Sequence, residues 1–181
     1  MLHILVYRGG ALARLGHNHV LSSQQVGGRI DFDPTLARSQ LELILPVASL
    51  VVDDADARQT EGEDFSATVP DDARQGTRAN LMRAEVLDGD HFPQITLRST
   101  GITGTPTAPV LTLQIALKGN SRELSVPVQV AYRSSGLTAT GEFSFRQTDF
   151  GMTPFSIGLG ALQVRDEVIV RFRIEARSIG S

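Results

Sequence analysis

Three long segments of the chain alternate apolar and polar positions one for one. Leu124, Val126, Val128, Val130 and Tyr132 are separated by Ser125, Pro127, Gln129 and Ala131. Leu137, Ala139, Gly141, Phe143 and Phe145 interleave with Thr138, Thr140, Glu142 and Ser144. Val168, Val170, Phe172, Ile174 and Ala176 interleave with Ile169, Arg171, Arg173, Glu175 and Arg177. Successive side chains of a strand point to opposite faces, so each segment has one apolar and one wet face. Several such strands have to curl or stack to hide the apolar side.

The same pattern, more briefly, marks nine strand candidates: His3–Arg8, Val26–Asp33, Gln40–Leu45, Ser49–Val52, Ile95–Thr103, Val110–Lys118, Leu124–Arg133, Leu137–Arg146 and Val168–Ala176. Turn chemistry separates them. Asp33-Pro34 ends one strand, and Lys118-Gly119-Asn120 and Ser134-Ser135-Gly136 read as hairpin connections. Short links between successive strands predict antiparallel neighbours and a meander. One stretch breaks the pattern. Pro70-Asp71-Asp72 places proline and carboxylates where a helix starts, and one or two helical turns are expected between Asp71 and Leu87. The polar, acidic stretch from Asp53 to Val69 is expected to be a long loop. No internal repeat is present, and the 181 residues suit one all-β domain over 1–181.

Composition narrows the function classes. With no cysteine, disulfides, thiolate nucleophiles and cysteine-based zinc sites are excluded. Basic residues number 17 and acidic residues 20, with the signs interspersed, so the clustered footprint of a nucleic-acid binder is missing. The longest apolar stretch, Leu43 to Val52, is far too short to span a bilayer. The segment from Met1 to Arg8 lacks a basic start, a long apolar run and a small-residue cleavage site. If Met1 is the true start, the chain is expected to be cytoplasmic.

Gly16-His17-Asn18-His19 is the sharpest local signal. In extended backbone, residues i and i+2 share a face, so both imidazoles could reach one metal ion. Two ligands are not a site, and no third is visible, so no metal and no cofactor are expected. A cupin pattern does not fit: Gly10 lies one position too far back, and Gln24 or Gln25 stands where a glutamate belongs. Asp149-Phe150-Gly151 has no glycine-rich phosphate loop or catalytic loop beside it, and a turn with Phe150 packed inward is the simpler account. Gly158-Leu159-Gly160 lacks the third glycine of a dinucleotide site. Asp53-Asp54 and Asp71-Asp72 read as solvated faces, and no nucleophile elbow occurs.

Several stretches, in order, resemble the YceI-like family. Gly28-Arg29-Ile30-Asp31-Phe32-Asp33-Pro34 resembles its glycine-to-Phe-Asp-Pro strand. Asn80-Leu81-Met82-Arg83, then Phe92-Pro93-Gln94-Ile95-Thr96-Leu97-Arg98-Ser99-Thr100, is similar to its helix and the strand after it. Leu111 to Gly119, Thr148-Asp149-Phe150-Gly151-Met152 and Arg165-Asp166-Glu167-Val168 resemble three further family segments. The chain departs from the family at Leu15-Gly16-His17-Asn18-His19-Val20-Leu21, where a lone histidine is usual and the first strand is longer. The resemblance implies an antiparallel, lipocalin-like β-barrel of about eight strands with one short helical segment. It also implies an elongated pocket for an isoprenoid chain, export to the periplasm or beyond, and a possible homodimer.

The residues and the resemblance converge on an apolar-lined barrel. An eight-stranded barrel has room for one ligand or for side chains, not for a water channel. Ten aromatics (eight Phe, two Tyr) and no tryptophan leave mainly aliphatic walls, which suit a hydrocarbon guest. The first expectation is a non-enzymatic carrier for a long isoprenoid or fatty ligand. Its wall would draw on Leu113, Ile115, Val126, Val128, Phe143, Phe145, Val170 and Phe172, with His17 or His19 at the ligand's head. The alternatives are a metal-dependent enzyme using His17 and His19 at the barrel mouth, and a filled barrel acting as an interaction module.

Overall fold

Each alternating segment becomes a strand, and the computed structural model, which describes residues 1–179, pairs them all antiparallel. In chain order the elements are β1 (Leu2–Gly9), β2 (His19–Ser23), β3 (Gly27–Asp31), β4 (Gln40–Pro46), β5 (Val51–Val52), α1 (Ala55–Thr60) and α2 (Asp71–Met82). Then follow β6 (Gln94–Thr105), β7 (Ala108–Leu117), β8 (Asn120–Arg133), β9 (Gly136–Arg146), β10 (Ser156–Ile157) and β11 (Leu162–Arg177). Neighbours run β3-β4-β6-β7-β8-β9-β11-β1-β2-β5, with the short β10 paired to β11. The sheet curls into a lipocalin-like half-barrel around an apolar interior, with the meander β6 to β9 at its centre.

The turn between β7 and β8 shows why the meander folds locally. Lys118 and Gly119 both have positive φ, 50° and 70°, and Leu117 faces Asn120 across the hairpin. Two left-handed residues in a two-residue loop match the right-handed twist of the strands they join. Packing constrains the next hairpin. Gly141 sits opposite Val128 and Phe172, and a Cβ there would lie 2.6 Å from the Phe172 ring and 2.8 Å from the Pro127 carbonyl oxygen. Gly141→Val is therefore expected to lower stability by about 1–3 kcal/mol through overpacking. Chemical denaturation measures this, and an unchanged midpoint would contradict the packing.

Three features differ from the sequence expectation. β2 was not among the strand candidates, and with β10 it raises the strand count above about eight. The helical stretch is 12 residues long, about three turns, instead of one or two. The expected loop from Asp53 to Val69 holds α1 and a further helical turn at Glu63–Phe65. The Asp54 carboxylate caps α1 by accepting a hydrogen bond from the Ala57 amide at 3.1 Å.

This segment is a strap, and the reason lies in β1. Leu2, Ile4 and Val6 face the barrel interior, yet His3, Leu5 and Tyr7 on the opposite parity also need cover. Ala57 and Phe65 from the strap pack on Leu5, Val20, Tyr7 and Ile169, forming a second, smaller core outside the barrel. Ile169 thus belongs to a buried outer face instead of a wet one. Polar anchors hold both ends of α1. Glu61, just past the helix, accepts from His3 Nδ1 at 2.6 Å and from Arg171 at 2.5 Å. Arg58 donates to Asp53 at 2.5 Å and to the carbonyls of Asn18 and Ala67.

Candidate functional site

The half-barrel is solid on one side and hollow on the other. On the β7–β8 side Leu113, Ile115, Val126 and Val128 are buried in the interior cluster. Phe143 and Phe172 pack against that cluster with ring centroids 6.4 Å apart, and Val170 is buried on the same strand as Phe172. On the side of β1, β2 and β11 lies a cavity of about 320 Å³. Of the wall residues expected from sequence, Phe145, His17 and His19 line this cavity, and the other seven pack elsewhere in the interior.

The rest of the wall comes from residues that strand alternation on β8 and β9 does not reveal. Ile4 and Val6 of β1, Leu21 of β2 and Val168 of β11 supply the sheet side. Ala73, Thr77, Asn80 and Leu81 of α2 supply the facing side. Their spacing of four, three and one puts them on one helix face, a signal present in the sequence but diluted by Gly76 and the polar neighbours. Leu50, Leu87, Ile95, Leu117 and Met152 of its wall are buried. The outer end is formed by the loop from Leu15 to His17 and by Arg8, Leu162 and Gln163. Leu15 there is 65% exposed, which identifies this end as the mouth.

One polar device borders the cavity. Asp53 is completely buried, at a left-handed φ of 54°, with its carboxylate shared among three donors. His19 Nδ1 lies 2.6 Å away, the Val20 amide 3.0 Å and Arg58 2.5 Å. A carboxylate can only accept, so Nδ1 carries a proton toward Asp53, and Nε2 lies 3.3 Å from Thr77 Oγ1, a hydroxyl that can donate or accept. Burial by itself would raise the Asp53 carboxyl, but the hydrogen bonds from His19, Val20 and Arg58 outweigh it and hold the group below its ordinary value. The His17 and His19 rings sit 6.2 Å apart in an edge-to-face arrangement, and no cluster of three or more potential metal-binding side chains occurs among the described residues. A second cleft, about 570 Å³, lies outside the barrel beside α1, and its two arginines, Arg58 and Arg74, are already paired with Asp53 and Asp71.

No helix of the described residues is long and apolar enough to cross a membrane. Comparison with known proteins matches residues 13–176 to the YceI-like domain. No curated protein matches the sequence. Among solved structures, BcnA of Burkholderia cenocepacia is similar over 97% of this chain and 96% of its own, at 18% identity and a TM-score of 0.66. The YceI protein of Campylobacter jejuni is similar over 88% and 85%, at 15% identity and a TM-score of 0.62. A polyisoprenoid binding domain from Saccharophagus degradans, implicated in plant cell wall breakdown, is similar over 98% and 94%, at 10% identity and a TM-score of 0.60. At these identities the likeness concerns the fold.

Proposed function

Because the chain belongs to the YceI-like family, we propose that it binds and carries an apolar chain, isoprenoid or fatty, in the cavity between α2 and the β1–β2–β11 wall. The observation that carries this reading is the cavity itself: a mainly aliphatic wall, buried at Leu50, Leu87, Ile95, Leu117 and Met152 and reaching solvent at Leu15. The Saccharophagus domain described as polyisoprenoid binding supports it through shared architecture. Each methylene-sized group withdrawn from water contributes about 0.8 kcal/mol, so one five-carbon unit contributes roughly 3–4 kcal/mol. A few units offset the loss of translational and chain freedom that binding imposes. Protein extracted with organic solvent should release an apolar-chain compound detectable by mass spectrometry, or the purified protein should take one up when it is offered. Neither release nor uptake would end the carrier reading.

The same reading has no resident cofactor or metal. His17 and His19 provide two imidazoles, one of them already committed at Nδ1 to Asp53. Elemental analysis is expected to find less than stoichiometric zinc, iron or copper. About one metal per chain, lost in His17→Ala, would instead favour the enzyme alternative. Export to the periplasm or beyond and a homodimer, both drawn from the family resemblance, complete the proposal. Cell fractionation and light scattering test them.

A further inference from the structure

We propose that the cavity selects a single-chain amphiphile with an anionic head. The inference deepens the carrier reading and rests on it.

The cavity wall contains Arg8, His17 and His19 and not one aspartate or glutamate. The Arg8 guanidinium donates one hydrogen bond, to the Gly16 carbonyl at 2.6 Å, and pairs with no carboxylate among the described residues. Asp53, which His19 contacts, is already paired with Arg58. A half-buried guanidinium beside an apolar wall keeps donors free for a planar or tetrahedral anion, and such charge-assisted bonds are about twice as strong as neutral ones. Arg8 lines the cavity with Gly16, His17 and Gln163, so the head would lie there and the chain along the aliphatic wall.

Calorimetric titration of the whole chain with decanoate, decanol and decyl phosphate tests it. Decanoate and decyl phosphate are each expected to bind at least about ten-fold tighter than decanol. Decyl phosphate beside decanoate separates the two sources of anion. Arg8→Gln should erase most of the preference for decanoate over decanol, and Arg8→Lys should restore part of it. The wild-type comparison does not depend on either variant folding. Equal affinity for decanoate and decanol would overturn the anionic head while leaving the carrier reading standing. Absence of binding by every probe, with a long polyprenol also refused, would remove the carrier reading itself.

Discussion

Asp53→Ala is expected to destabilise the fold by about 3–5 kcal/mol, the usual effect of breaking a buried ion pair from one side. The substitution leaves Arg58 buried without its carboxylate and deprives His19 Nδ1 and the Val20 amide of their acceptor. The strap would lose its anchor at the start of α1, uncovering Leu5, Val20 and Phe65. Thermal or urea unfolding reads the loss directly, and hydrogen exchange should rise first in residues 53–69. A change of less than about 1 kcal/mol would mean that the ion pair does not organise the strap. Acid should mimic the substitution in part. The Asp53 carboxyl titrates below its ordinary 3.8 in the folded chain, so its stabilising contribution is complete above that value. It is lost as the pH falls through the depressed folded value.

Ala73→Phe should abolish uptake of an apolar chain while leaving the fold intact. Ala73 is half-buried on α2 and lines the cavity, so a phenyl ring can enter existing space instead of displacing core. Displacing about five methylene-sized groups of ligand at about 0.8 kcal/mol each weakens binding by roughly 4 kcal/mol, about a thousand-fold. Decanoate titration measures the loss, and the melting temperature should stay the same or rise as the void fills. Full-strength binding by a folded Ala73→Phe protein would place the ligand somewhere other than beside α2.

Alternation made β8, β9 and β11 legible because each has one apolar face and one wet face, the condition under which the two-residue period is visible. β1 is different. Leu2 to Tyr7 is covered on both sides, inside by the barrel and outside by α1, so its sequence is apolar at nearly every position. Without the strap in view, the second face has no reason to be apolar. β2 was missed because it is five residues long and begins within the Gly-His-Asn-His turn, where polar residues mask the period. The strap reads as loop in the sequence because its few buried apolar residues, Ala57, Phe65 and Val69, stand among polar and acidic neighbours. Its burial is met by ion pairs from distant strands, and no local pattern encodes those.

The sequence by itself determined the architecture of this protein: antiparallel strands, hairpins at Lys118-Gly119 and Ser134-Ser135, a helix opening at Pro70, and an apolar interior. These follow from residue-to-residue periodicity and turn conformation, which act over a few residues. Only the tertiary structure decided which part of that interior is hollow. Inward-facing Val126 and Phe145 are equivalent as a pattern, yet one is buried in the interior cluster and the other borders the cavity. The difference arises where α2 meets the sheet. Its Ala73 and Thr77 are too small to fill the space opposite Ile4, Val6 and Val168, so a void survives there while the β7–β8 side closes. The volume of a void depends on the separation of surfaces far apart in the chain, and periodicity within a strand carries no record of it.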